Sequence, residues 1–259
     1  MRVTTAPIPV TEDLDEVVAL LRETSTRGVA LRRPKLLEVF DSHRDTITAK
    51  LRVPHGGEQL AQSHVLSETH FKSGAMIQDF GSDLGLIMPT DIAEAIYQDT
   101  HDTGQILSEV FARVTDSEVE GRAFARLHMM PRNGFGPFAP SWHGDGPPLN
   151  AHVSYLFNEL EVAALPEGDP ETQMHCRAIL SEKNVTFYAR DDVFDYWKPD
   201  PLDIVFMRGI DGNPANQNTP EKSVSFNPDH ILFHRSPRDT VETGALTSVY
   251  RVTPCQGMF

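Results

Sequence analysis

From residue 122 onward the chain breaks into short apolar segments, and that pattern constrains its fold more than any other feature. Ala123–Met130, His152–Phe157, Ala178–Tyr188, Leu202–Met207, Ile231–Phe233 and Leu246–Val252 are separated by turn-forming clusters such as Gly134-Phe135-Gly136-Pro137 and Gly144–Pro148. Short apolar runs punctuated in this way read as the strands of a sandwich or barrel. The first part of the chain has a different period. Leu14, Val17, Val18 and Leu21 recur at helical spacing over 11–23, with Thr11 as the expected N-cap. Gly28 interrupts that pattern, Val29-Ala30-Leu31 reads as a short strand, and Pro34 opens an expected helix over 34–51. Residues 53–75, rich in His, Gly and Ser, read as a loop that could cover a site, with His55, Gly56, Gly57 and Gly74 as hinge points. Ile92, Ala93, Ile96, Ile106, Leu107, Val110 and Phe111 mark another helix from Thr90 to Val114. Helices first and strands afterwards fit an α+β chain: a double-stranded β-helix, or jelly roll, with N-terminal helices packed on it. With no repeat and no long linker, the expected organisation is one domain over 1–259. Residues 1–121 would be mainly helical support and 122–259 mainly β core.

Composition narrows the partners. Hydrophobic content of 39% with 23% charged residues is that of a globular protein. A formal charge of −14 disfavours a phosphate-rich partner, and Arg32, Arg33 and Lys35 form only a short basic patch. Nucleic acid is therefore not expected, and a small molecule is. Cys176 and Cys255 are the only cysteines, too few for a disulfide framework or a cysteine-rich zinc site. The stretch Met1–Pro9 has no apolar signal core, and no run reaches the length of about 18 apolar residues of a membrane span. A cytoplasmic enzyme without membrane contact is the expectation.

The chemistry is carried by Trp142-His143-Gly144-Asp145 and, far downstream, by His234-Arg235-Ser236-Pro237. If residues 141–145 run extended, His143 and Asp145 point to the same side of the strand and Gly144 points away. A third donor from a distant strand, His234, then completes a two-histidine, one-carboxylate face. Such a set holds a non-haem Fe(II) and leaves the opposite face open. His230 competes with His234, since it has the same strand parity; the two lie about 13 Å apart if extended, so only one can join the ion. The His-Arg-Ser-Pro context favours His234. His128, His152 and His175 read as ordinary core or surface histidines, with His152 close enough to the H-x-D segment to line the pocket. Trp142, Tyr155, Phe157 and Tyr250 read as core or pocket-wall aromatics.

These pieces resemble the Fe(II)/2-oxoglutarate-dependent oxygenase superfamily. Ala125–Met130 precedes the H-x-D segment as a strand does in that family, Leu202–Met207 looks like the strand returning towards the distal histidine, and Leu246–Thr253 looks like the last core strand. The resemblance implies Fe(II) held by His143, Asp145 and His234, 2-oxoglutarate as cosubstrate, dioxygen as oxidant, and Arg251 on the last strand as the cosubstrate anchor. It implies oxidation, usually hydroxylation, of a small-molecule C–H bond. Asp145 argues against halogenation, because the resembling halogenases lack that carboxylate. Arg126-Leu127, Trp142–Leu149, Tyr155 and His234–Pro237 are also similar to an uncharacterised bacterial domain-of-unknown-function family, whose pattern runs H-x-D-x-x-P-L-R, Thr-Tyr and H-R-S-P. Asn150 stands where that pattern has arginine, and Arg251 falls later in its strand than the family's arginine.

Rival readings remain open from sequence. Arg235 and Arg238 are alternates to Arg251, and an arginine on a barrel strand also snorkels to the rim. The same His143/Asp145/His234 set binds Zn(II) and would then support hydrolysis. A metal-binding jelly roll without catalytic activity is a third reading.

Overall fold

The computed structural model describes residues 6–41, 44–46, 64–70, 90–116, 122–130, 142–144, 149–155, 160–163, 177–180, 185–189, 196–209, 232–236 and 245–253. They include three helices, α1 (Leu14–Arg22), α2 (Pro34–Asp41) and α3 (Thr90–Thr115), a short helical piece at 44–46, and two sheets. The larger sheet contains β1 (Val10–Thr11), β2 (Gly28–Leu31), β3 (His64–His70), β4 (Arg122–Met130), β6 (Leu149–Ser154), β10 (Ile204–Arg208) and β12 (Ala245–Thr253), in the order β1-β2-β10-β6-β12-β4-β3. The smaller contains β5 (Trp142–Gly144), β7 (Glu161–Ala163), β8 (Arg177–Leu180), β9 (Val185–Ala189) and β11 (Phe233–Arg235), in the order β7-β11-β5-β9-β8. Among the described residues only the β1–β2 pair is parallel. No helix among the described residues is long and apolar enough to cross a membrane.

Alternation along the central strands sorts the core into two layers. Val29, Leu31, Leu149, Ala151, Val153, Ile204 and Phe206 pack with Val17, Val18 and Leu21 of α1 and Ile96, Leu107 and Val110 of α3. The residues between them on β2 and β10, Ala30, Val205 and Met207, pack instead with Val162 and Leu232 from the region of the smaller sheet. Both faces of β2 and β10 are therefore covered, which is why these strands read as continuous apolar runs rather than alternating ones. Burying a side chain such as Phe206 completely stabilises the fold by about 1.5–3 kcal/mol.

Polar contacts fix α3 to the end of the larger sheet. The buried carboxylate of Asp99 accepts from the Arg33 guanidinium and, at 2.9 Å, from the Tyr155 hydroxyl. Arg33 also donates at 2.6 Å to the carbonyl of Leu202, whose backbone is left-handed with φ 69°. A paired charge with its lone pairs used is the condition under which burial is tolerated.

Three sequence expectations need correcting. The N-cap of α1 is Asp13, whose carboxylate accepts from the Asp15 amide at 2.8 Å; Thr11 lies two residues earlier, accepting from the Asp13 amide and donating to Glu16. Residues 64–70, expected as loop, form strand β3 on β4, with a register shift between Val65 and Ser67. An edge strand needs one bonded neighbour rather than an apolar alternation, so its sequence signal is weak. The rest of the expected 53–75 loop lies outside the described residues. Finally, Ala178–Tyr188 is two strands, not one: β8 and β9 pair antiparallel with Leu180 opposite Val185. The described part of the first 121 residues thus supplies β1, β2 and β3 of the larger sheet as well as α1, α2 and α3.

Candidate metal centre

β5 and β11 are neighbours in the smaller sheet, and their register sets His143 directly opposite His234. The two imidazole rings lie with centroids 4.3 Å apart and planes inclined by 51°. Two imidazoles bound at right angles to one ion, each through a nitrogen at about 2.0–2.1 Å, have ring centres about 4–5 Å apart. The pair fits that requirement. His234 is buried and His143 is half-buried, so the donors sit inside the protein.

Their orientation follows from the register. Val162 of β7 is in the same row as His234 and His143, and it packs in the layer between the two sheets. The histidines share its face. From the larger sheet comes His152 on β6, its ring centroid 6.2 Å from that of His234. His152 is opposite Val205 on one side and Val249 on the other, which places it on the inner face with Val205. Asn150, two residues earlier and fully buried, shares that face.

The opposite face of the smaller sheet carries a charged lock. One residue along from the histidine row, Glu161 of β7 is opposite Arg235 of β11, and Arg235 neighbours Trp142 of β5. Arg235 Nε donates to Glu161 at 2.6 Å, and Lys198 lies 3.4 Å from the other carboxylate oxygen. The guanidinium also stacks 4.4 Å from the centre of the Trp142 ring and 5.5 Å from that of Tyr196. Arg235 is thus directed away from His234 and does not serve as an anion anchor beside it. Sequence reading did not anticipate Glu161 or Lys198, because only the three-strand register reveals their partner.

The remaining expected site residues stand as follows. Asp145, His230 and Arg238 lie outside the described residues. Among the described residues no group of three or more His, Cys, Asp or Glu side chains is placed to share an ion. The Arg251 position on β12 is opposite Asn150 on one side and Phe124 on the other. The Arg126 position on β4 is opposite Val249, two residues before Arg251, so by alternation both arginine positions fall on the face that carries Asn150 and His152.

No family model matches the chain, and no curated protein matches it. The likeness is to solved structures. JOX2, in complex with 2OG, Fe and JA, aligns with a TM-score of 0.51 at 12% identity, over 99% of this chain and 77% of that one. AtDAO1, the dioxygenase for auxin oxidation 1 from Arabidopsis thaliana, bound to 2-oxoglutarate, aligns with a TM-score of 0.49 at 10% identity, over 97% and 94% of the two chains. The chain shares the fold of the first of these. Fold alone does not assign an activity.

Proposed function

We propose that the chain is a non-haem Fe(II)/2-oxoglutarate-dependent dioxygenase of double-stranded β-helix architecture, which hydroxylates a C–H bond of a small molecule. The observation that carries this reading is the cross-strand pair His143–His234, with ring centroids 4.3 Å apart on the face turned towards the larger sheet. Asp145 follows His143 by two residues and is the third ligand in the proposal. When bound, the iron and its cosubstrate supply oxidation of an unactivated C–H bond by dioxygen, chemistry that no side chain provides.

The residues have separate tasks. His143 and His234 hold the ion through neutral ring nitrogens, and Asp145 adds a negative charge to the set. Arg251, opposite Asn150 in register, binds the far carboxylate of 2-oxoglutarate, for which a guanidinium gives two parallel hydrogen bonds. The apolar packing of Val162, Val205, Met207 and Leu232 beside the histidine row keeps water from that end of the inter-sheet space.

The test is succinate release from 2-oxoglutarate with Fe(II), ascorbate, oxygen and a panel of candidate substrates, for wild type and Asp145→Ala side by side. Turnover by wild type that is lost in Asp145→Ala supports the reading. Cleavage of a substrate with zinc and no succinate with iron would assign a hydrolase instead. Metal uptake with neither reaction would assign a binding protein.

A further inference from the structure

We propose that His152 is a ligand-orienting residue: its imidazole N–H donates to a carboxylate oxygen of a small organic anion bound on the open side of the ion that His143 and His234 hold. This rests on the metal-centre reading above and adds to it a residue from the other sheet.

The distances separate two roles. The His143–His234 separation of 4.3 Å lies within the range of about 4–5 Å for two imidazoles sharing an ion at right angles, whereas the 6.2 Å between His152 and His234 lies beyond it. His152 is therefore too far away to bind at right angles to His234 on the same ion and close enough to meet what the ion binds. It also approaches from the larger sheet, opposite the strands that carry the histidine pair.

The strand that carries His152 breaks the pattern of its neighbours. On β2 and β10 the inner-face residues are Ala30, Val205 and Met207, all apolar and buried. One strand further on, β6 turns Asn150 and His152 to the same face. These two polar side chains thus follow directly on the apolar inner-face residues of β2 and β10. His152 and His143 are both half-buried while the residues flanking each are buried, so the two rings remain reachable from solvent where a ligand would enter. The side chain offers a fixed, directional N–H donor, suited to an anionic oxygen.

The experiment compares wild type with His152→Leu, which keeps bulk and removes the donor, and His152→Gln, which keeps a donor; His143→Ala is the benchmark for a lost metal ligand. Calorimetric titration of the metal-free protein with Zn(II) reads the ion. Anaerobic titration of the Fe(II)-loaded protein with 2-oxoglutarate, followed by visible absorption, reads the anion. The expected result is Zn(II) affinity within threefold of wild type for both His152 variants, 2-oxoglutarate binding at least tenfold weaker in His152→Leu, and recovery to within threefold in His152→Gln. Zn(II) binding lost as in His143→Ala would make His152 a metal ligand and overturn the proposal. Unchanged 2-oxoglutarate binding in His152→Leu, or no recovery in His152→Gln, would overturn it while leaving the metal centre standing. A wild-type protein that takes up neither Zn(II) nor 2-oxoglutarate would overturn the metal-centre reading and this inference together.

Discussion

The guanidinium of Arg235 lies 4.4 Å from the centre of the Trp142 ring, and each of these residues is the chain neighbour of one member of the histidine pair. The stack therefore ties β5 to β11 on one face at the row next to the one that holds His143 opposite His234 on the other. A slip of one residue between these strands would send one histidine to the wrong face. The Arg235–Trp142 contact, worth about 0.5–2 kcal/mol, and the Glu161 carboxylate together oppose that slip.

Glu161 tests the lock most directly. Its side chain is 5% exposed, and those of Arg235 and Lys198 are 12% and 13% exposed. Removing the carboxylate leaves two largely enclosed cations without their shared partner. Glu161→Ala is expected to destabilise the protein by about 3–5 kcal/mol, read from the urea midpoint at constant m-value. It should also weaken Zn(II) binding by about tenfold, as loss of an outer supporting contact does at a metal site. Unchanged Zn(II) affinity would mean that the lock serves stability alone.

Much of this arrangement was legible in the sequence, and the exceptions have a common cause. Val17, Val18 and Leu21 declared α1, Pro34 marked the start of α2, and Ile92, Ile96, Leu107 and Val110 declared α3, because helical periodicity is a local signal. The alternation expected for His143 was also local, and the structure brings that residue opposite His234. What sequence could not supply was register. β3 escaped notice because an edge strand leans on one neighbour, and the Arg235–Glu161 pair escaped because its partners are 74 positions apart. The same limit applies to His152: its closeness to the H-x-D segment in sequence admits a place in the pocket wall, but only the packing of β6 against β11 sets its ring 6.2 Å from that of His234.

Gly28 offers a prediction about packing. In sequence it reads as a helix breaker, but in the sheet it is a point of close approach between strands. A Cβ at this position would lie 2.5 Å from the carbonyl oxygen of Phe206 and 2.6 Å from Cδ2 of Leu232. The carbonyl belongs to the β2–β10 ladder and cannot retreat without breaking pairing. Gly28→Ala is expected to cost at least about 1–3 kcal/mol, the range for overpacking a well-filled core. Thermal unfolding of the variant checks this; a melting temperature equal to wild type would show that β2 can shift away from β10.

Stability should carry a pH dependence from Asp203. Burial, reinforced by the nearby Asp200 carboxylate and opposed by Arg32 and Arg33, pushes its carboxyl up to about 7. Its Oδ2 is buried with no hydrogen-bond partner among the described residues. Because the folded value lies above the unfolded value of about 3.9, the folded state binds the proton more tightly. The contribution is therefore fully present below pH of about 4 and is lost progressively as pH rises to about 7. Asp203→Asn keeps the shape and removes the titration. The difference in urea midpoint between Asp203→Asn and wild type should grow in favour of the variant from pH 4 to 7 and level off above. A difference that is flat across this range would refute the assignment.

Metal removal gives the last test, and it reads the site without turnover. An ion that binds only the folded state stabilises it by RT ln(1 + [L]/Kd), about 2.7 kcal/mol at a hundredfold excess over Kd. Adding Zn(II) or, anaerobically, Fe(II) to the metal-free protein should therefore raise the melting temperature, and a chelator should return it to the starting value. His143→Ala and Asp145→Ala should abolish the rise if, as proposed, each supplies one donor of a three-point set, while the apolar layers that hold the sheets together remain intact. His234→Ala should do the same, at an additional cost in baseline stability, since His234 is 5% exposed and its loss leaves a cavity between the sheets. A chelator-reversible rise retained in His143→Ala would place the ion elsewhere in the protein and remove the basis for pairing it with His234.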